Sequence, residues 1–189
     1  MLTDESWGPV MINNTTTIGL SALVVLCASS AAAQLPKRLP NPADSLLARL
    51  VGQWDMRGEV RGRPAAYNAV GGWTLAHKYV ELHLRDRAKA GYEALVFLGA
   101  DTLAGHVLVH WLDNTGAAFS VPAGTGSVIG DTLRFEFAYS SGPFRDTFIY
   151  RRRPNEWYML LESGDGHGGW KPFATYVARR RADAVSRPE

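Results

Sequence analysis

After residue 50 the chain is a succession of short runs in which apolar and polar residues alternate. Successive side chains of a strand point to opposite faces, so these runs predict strands with one dry and one wet face. Glycine, proline or aspartate interrupts the pattern at short intervals, which is typical of an antiparallel barrel or sandwich. The alternating runs lie at about 51–61, 66–75, 77–85, 92–100, 104–112, 116–121, 124–130, 132–140, 144–152, 155–163 and 171–181.

A single short helix is predicted before the strands. Asn41 is a residue type that caps helices, and Pro42 suits the first helical position. Leu46, Leu47 and Leu50 then form a narrow apolar face. We expect this helix to lie across one mouth of a barrel.

These elements together predict an all-β fold, an antiparallel up-and-down barrel of about 8–10 strands with one short N-terminal helix. Closure into a barrel is favoured over two flat sheets because it removes exposed sheet edges. The predicted barrel domain spans residues 44–181. A proline-containing linker at 34–43 precedes it, and a short tail at 182–189 follows.

Residues 1–33 have the order of a secretory signal peptide, with an apolar block at 18–28 and a cut predicted after Ala33. The block is too short to span a bilayer, so no membrane anchor is expected in the mature chain. Translation is predicted to start at Met11, although no lysine or arginine precedes the block. Cys27, the only cysteine, would be removed with the peptide, which excludes disulfides and thiolate metal sites. The predicted location is therefore secreted or periplasmic.

The charge of the chain is modest and spread along it. The formal net charge is +2, and cleavage after Ala33 would remove two acidic residues, Asp4 and Glu5, and no basic ones. The basic run at 151–153 precedes Pro154 and has the composition of a solvated turn. No basic groove with interleaved aromatic residues accompanies it, so nucleic-acid binding is not expected.

The stretch from Leu50 to Val60 defines the fold best. Gly52 and Trp54 open a strand on which Trp54 and Met56 share one face. Gly-x-Trp on a first strand, after a helical lead-in, resembles the opening of the lipocalin-like (calycin) barrels, in particular a group of uncharacterised secreted bacterial proteins. The resemblance implies that Gly52 and Trp54 close one end of the barrel. It also implies that a basic residue of the last strand, for which we choose Arg179, packs on the tryptophan.

Aromatic residues are abundant on the faces predicted to point inward. Small barrels of about eight strands either fill their interior or hold one small ligand, and the residues are compatible with both. We favour a pocket that binds a small apolar or amphipathic molecule. Its candidate residues are Trp73, Trp111, Phe135, Phe137, Asp146, Phe148, Trp157 and His110.

Two polar residues could supply chemistry inside such a pocket. Asp146 alternates with Phe144 and Phe148, and lies either in the interior, where burial would raise its pKa, or at a wet rim. His106 and His110 share a strand face but stand about 13 Å apart, too far for one zinc ion. No nucleophile, base and orienting group assemble into a catalytic motif. An enzyme using Asp146 or His110 as a base is therefore the alternative to a binding protein.

A glycine-rich hairpin loop at 163–170 carries His167. Related barrels called nitrobindins bind haem through a histidine, and that resemblance implies His167 as a haem ligand. The sequence departs from the family's opening pattern, which has more glycine around the tryptophan. No other cofactor and no metal is expected, and the sequence does not indicate an oligomeric state.

Overall fold

Ten strands and one short helix make up the part of the chain that the computed structural model describes, residues 42–88, 91–101 and 105–181. Helix α1 (Pro42–Leu47) continues into a 3-10 turn at Ala48–Leu50. Pro42 is the first helical residue, as predicted, and Asn41 lies outside the described residues. The strands are β1 (Gly52–Val60), β2 (Arg63–Thr74), β3 (Tyr79–Asp86), β4 (Glu93–Asp101), β5 (His106–Asp113), β6 (Gly124–Ile129), β7 (Thr132–Tyr139), β8 (Gly142–Arg151), β9 (Glu156–Gly164) and β10 (Trp170–Arg180).

Each strand pairs with its neighbours in sequence, and β10 pairs with β1 to close the ring. In that closing ladder Trp54 lies opposite Arg180, and Val60 lies opposite Ala174. The ladder between β5 and β6 is short and pairs only Val107–Val109 of β5 with residues 124–126 of β6. The prediction of a closed antiparallel up-and-down barrel of about 8–10 strands is therefore confirmed.

One predicted strand is wrong. Residues 116–121 contain a 3-10 turn at Ala117–Phe119 in place of a strand. The Phe119 N–H donates to the Gly116 carbonyl at 3.1 Å, so the backbone bonds locally and not across a ladder. Pro122, which follows, has no N–H with which to continue a ladder. Strand β2 begins at Arg63, three residues before the predicted alternating run at 66–75.

The helix closes one end of the barrel, as expected. Leu47 and Leu50 are buried in the core. The Trp54 indole N–H donates to the Leu50 carbonyl at 2.8 Å, and that of Trp157 donates to the Arg49 carbonyl at 3.2 Å. Carbonyl groups at a helix end need partners. Two tryptophans from opposite parts of the chain supply them here and bind the helix to the barrel wall.

Glycine allows the close approach of β2 to this end. A Cβ atom at Gly71 would collide with the Leu50 carbonyl oxygen, whereas a Cβ atom at Gly72 would meet nothing within 4 Å. Gly52 has a φ of 129°, a backbone conformation that other residues rarely adopt. The turn from helix to β1 therefore depends on residues without side chains.

The basic residue that packs on Trp54 is Arg180 and not Arg179, which corrects the prediction. The Arg180 guanidinium carbon lies 4.5 Å from the centroid of the Trp54 ring, and Arg180 Nη2 donates to the Val51 carbonyl at 3.0 Å. Arg179 points outward and pairs with Glu156 at 3.1 Å. Arg180 lies directly opposite Trp54 in the ladder, so the two side chains share the inner face. Successive side chains of a strand point to opposite faces, so Arg179 cannot pack on the tryptophan as well.

Three predicted segments lie wholly or mostly outside the described residues. The predicted signal peptide at 1–33, most of the linker at 34–43 and the tail at 182–189 fall on residues that the structure does not describe. No helix among the described residues has the length and apolar character needed to cross a membrane.

A candidate ligand cavity in the barrel

A cavity of about 1350 Å³ occupies the end of the barrel opposite the helix. The cavity opens to solvent at this end, its mouth. It is lined by the halves of the strands nearest the mouth and by the turns that join the strands there. The opposite half is filled by side chains, so the barrel has one packed end and one hollow end. The aromatic residues that line the cavity are Tyr67, Tyr92, Trp111, Phe119, Tyr139, Phe144, Phe173 and Tyr176.

Three tyrosines from distant parts of the chain pack against one another on its wall. The ring centroids of Tyr67 and Tyr92 are 5.8 Å apart, and those of Tyr67 and Tyr176 are 5.6 Å apart, both in edge-to-face geometry. The Tyr67 and Tyr176 hydroxyls are hydrogen-bonded to each other, and burial is the main cause that raises both pKa values. This wall therefore presents ring surface together with neutral hydroxyl groups.

A short hydrogen-bond chain crosses the neighbouring wall. The Trp111 indole N–H donates to the Tyr92 hydroxyl oxygen at 2.7 Å, and the Tyr92 hydroxyl donates to Asp113 Oδ2 at 3.0 Å. Thr115 also donates to Asp113, from its backbone N–H at 3.0 Å and from its hydroxyl. Burial raises the pKa of Tyr92 well above its usual range. The polar groups of this wall satisfy one another.

Asp146 differs from these groups because it is buried without a partner. Its exposed fraction is 1%, and its Oδ1 atom has no hydrogen-bond partner in the described part of the protein. Burial raises the pKa of this carboxyl well above its usual range. The interior position predicted as one of two alternatives is therefore the observed one, and the carboxyl lines the cavity.

The mouth of the cavity carries basic residues. Arg61, Arg63 and Lys171 belong to its lining and are exposed. The Arg61 guanidinium carbon lies 4.9 Å from the centroid of the Phe173 ring, and Phe119 is half exposed at the same mouth. The cavity thus changes from basic at its opening to hydroxyl-lined and acidic inside.

Six of the eight predicted pocket residues are not part of the lining. Of the eight, Trp111 and Asp146 line the cavity. Four others are buried in the packed core: Phe135, Phe137, Phe148 and Trp157. Phe135 and Phe148 pack edge to face with their ring centroids 5.6 Å apart.

Trp73 and His110 lie elsewhere. Trp73 is partly buried at the packed end of β2, with its ring centroid 5.8 Å from that of His77. His110 is exposed on the outer face of β5, because Val109 and Trp111 on either side of it point inward. His110 therefore does not belong to the cavity.

His167 lies in the exposed loop between β9 and β10. Its backbone N–H donates to Asp165 Oδ1 at 2.8 Å, and His167 is not among the residues that line the cavity. Haem ligation through His167 has no support from this geometry and stays a prediction. Among the described residues, no group of three or more histidine, cysteine, aspartate or glutamate side chains is placed to hold a metal ion.

The sequence reasoning missed the tyrosines that form the wall. Tyr67 stands between Ala65 and Ala69 on the inner face of β2, and Tyr176 stands between two alanines on the inner face of β10. Alternation could have placed both tyrosines on inner faces, but it does not indicate whether the space beside them is filled.

Comparisons with known proteins support the fold alone. No protein-family model matches the chain. No curated protein matches it either. Among solved structures, the chain is similar to that titled "Crystal Structure of Rv2717c from M. tuberculosis", with a TM-score of 0.51 and 19% sequence identity over 75% of this chain and 99% of that chain.

Proposed function

We propose that the protein is a secreted or periplasmic lipocalin-like barrel that binds a small amphipathic molecule in its hollow end. The observation that carries the proposal is a cavity with aromatic walls and one buried, unpartnered carboxyl, Asp146. Ligand sites are commonly concave, mostly apolar and equipped with a few polar groups that fix orientation. Pockets of about 300–1,000 Å³ hold small molecules, and the volume here, about 1350 Å³, is sufficient.

A packed-core role accounts less well for these residues. A barrel that needed only a core would gain from filling this space, because the aromatic side chains of its wall would then be removed from water. It would also gain from replacing Asp146, because an unsatisfied buried polar group costs about 1–3 kcal/mol. A ligand that occupies the space and bonds to the carboxyl covers the aromatic wall and satisfies the polar group.

Masses measured under native and denaturing conditions test the proposal directly. Protein exported to a bacterial periplasm is expected to show a non-covalent mass difference, whose value indicates the ligand class. An absorption spectrum of the same sample tests the haem expectation, since a Soret band would identify haem. An unchanged mass, with no uptake of an added apolar fluorescent probe, would contradict interior binding.

A cavity-filling variant localises the binding. Ala65 lines the cavity, and Ala65→Phe is expected to lower the affinity for an apolar fluorescent probe about tenfold or more by occupying its space. Ala138 is exposed on the outer face of β7, so Ala138→Phe adds the same ring outside the cavity. Equal affinities of the two folded variants would place the probe elsewhere.

An enzyme that uses the same cavity is the second candidate. A buried carboxyl with a raised pKa is a group that general acid–base catalysis uses, and Asp146 has these properties. The ligand recovered from the protein distinguishes the two functions. A binding protein releases it chemically unchanged after prolonged incubation, whereas an enzyme converts it and loses that activity in Asp146→Asn.

A further inference from the structure

The surroundings of Asp146 give no structural reason for an acid. Its cross-strand neighbours are Phe135 on β7 and Leu161 on β9. On its own strand the adjacent inward residues are Phe144 and Phe148. A polar group in such a position is rare unless something satisfies it. A partner from outside the chain would do so.

The acidic and hydroxyl groups that line the cavity with this carboxyl are tyrosine hydroxyls and two other acids, Asp86 on β3 and Asp113 on β5. Tyr139 on β7 and Tyr176 on β10 lie close enough for the Asp146 charge to raise their pKa values, although burial is the larger cause. Asp113 on β5 acts on Tyr139 in the same direction. The cavity therefore combines three carboxyls with hydroxyl groups.

No cation of the described chain reaches Asp146. Arg145, its neighbour on β8, points outward and pairs with Glu162 at 2.6 Å. Lys171 is exposed, on the mouth side of Asp146, and Arg61 and Arg63 lie at the mouth itself. Carboxyls inside the cavity attract positive charge, because the cations of the lining are confined to the mouth. The surrounding aromatic rings have the same effect, because ring faces attract cations.

We propose that the cavity selects ligands that carry a basic nitrogen, whose ammonium group pairs with the Asp146 carboxylate among the tyrosine rings. This inference rests on the proposed function, because it names the ligand class of the same cavity. The ligand enters as an ammonium ion. The Asp146 proton leaves to solvent, and the ammonium group donates hydrogen bonds to the carboxylate, so charge and protons balance. The apolar body of the ligand lies toward Phe144 and Phe173, nearer the mouth.

Three probes with one body and different head groups test the proposal on the full protein: 2-naphthylmethylamine, 2-naphthylmethanol and 2-naphthoate. The amine is expected to bind about tenfold or more tightly than the alcohol, since hydrogen bonds to charged groups are the stronger ones. While the Asp146 carboxyl of the free protein is protonated, binding releases one proton, so the affinity for the amine should rise by about tenfold per pH unit. The rise should end once this carboxyl is ionised in the free protein. Titration calorimetry in buffers of different ionisation enthalpy counts that proton.

Variants assign the effect to Asp146. Asp146→Asn should lose about tenfold or more of the amine affinity and all of its pH dependence, with the alcohol affinity changed less than about threefold. Glu136→Gln removes one negative charge from the exposed face of β7, and should leave amine binding unchanged. Near-ultraviolet circular dichroism verifies that both variants are folded.

The outcomes separate the two proposals. Alcohol binding as tight as amine binding, or tightest binding of the naphthoate, would overturn the amine inference and leave interior binding in place. Amine binding that survives Asp146→Asn unchanged would overturn it as well. Binding of none of the three, with no ligand found by native mass, would contradict both the inference and the proposed function.

Discussion

The burial of Asp146 predicts an unusual dependence of stability on pH. In the folded protein burial raises the pKa of this carboxyl, whereas in the unfolded chain the pKa is about 3.9. Between these two values the folded state holds a proton that the unfolded state has lost. The free energy of unfolding therefore falls as pH rises through this window, by about 1.4 kcal/mol per pH unit. Below about pH 4 both states are protonated and the effect disappears.

The perturbation is Asp146→Asn, which keeps the size of the side chain and removes the titration. The difference in free energy of unfolding, variant minus wild type, should grow by about 2.7 kcal/mol over two pH units within the window, and then level off above the folded pKa. A domain is stable by about 5–15 kcal/mol in total, so a change of this size is readily measured. The side chain is 1% exposed, so the titration is that of a buried group.

Urea unfolding followed by tryptophan fluorescence, at half-unit steps from pH 4 to pH 8, measures this difference. The surface carboxylates Asp55, Glu93, Asp131 and Asp165 have lowered pKa values and stabilise the fold above their unfolded pKa values, the opposite sign. They are common to both proteins and cancel in the difference. A difference that stays constant from pH 4 to pH 8 would refute the reasoning, since Asp146 would then titrate as it does in water.

Two further predictions concern the packed end. Gly71→Ala should lower the free energy of unfolding by about 1–3 kcal/mol, because its Cβ atom meets the Leu50 carbonyl oxygen, and Gly72→Ala is the matched control with open space. Equal stabilities in urea would show that the helix end is free to shift. Trp54→Phe removes the indole N–H from the Leu50 carbonyl and should cost about 1–3 kcal/mol. Trp73→Phe is its control; a similar cost there would indicate that ring volume matters and the hydrogen bond does not.

Alternation along each strand made most of the fold predictable from the sequence. It placed Trp54 and Met56 inside, and it placed Asp146 on the same face as two phenylalanines. It did not decide between Arg179 and Arg180 as the partner of Trp54. That choice depends on the register of β10 against β1, which places Arg180 directly opposite Trp54.

The cavity was harder to predict because it depends on which inward side chains leave space. Phe135 and Phe148 are large and inward, but they fill the packed half. Tyr67 and Tyr176 line the hollow half, and Tyr92 joins them from the end of a loop. Volume summed across strands is a three-dimensional property, whereas alternation is a property of one strand at a time.

The short ladder between β5 and β6 is the place where we expect the barrel to open locally. Subglobal opening begins where the fewest cross-strand bonds must break, and on β5 those bonds cover only Val107–Val109. This seam adjoins the turn that carries Phe119 at the cavity mouth. Amide hydrogens of β6 should therefore exchange with solvent sooner than those of β1, which is paired along nearly its whole length on both sides. Local opening at this seam would widen the cavity mouth, while the helix and Trp54 remain fixed at the far end.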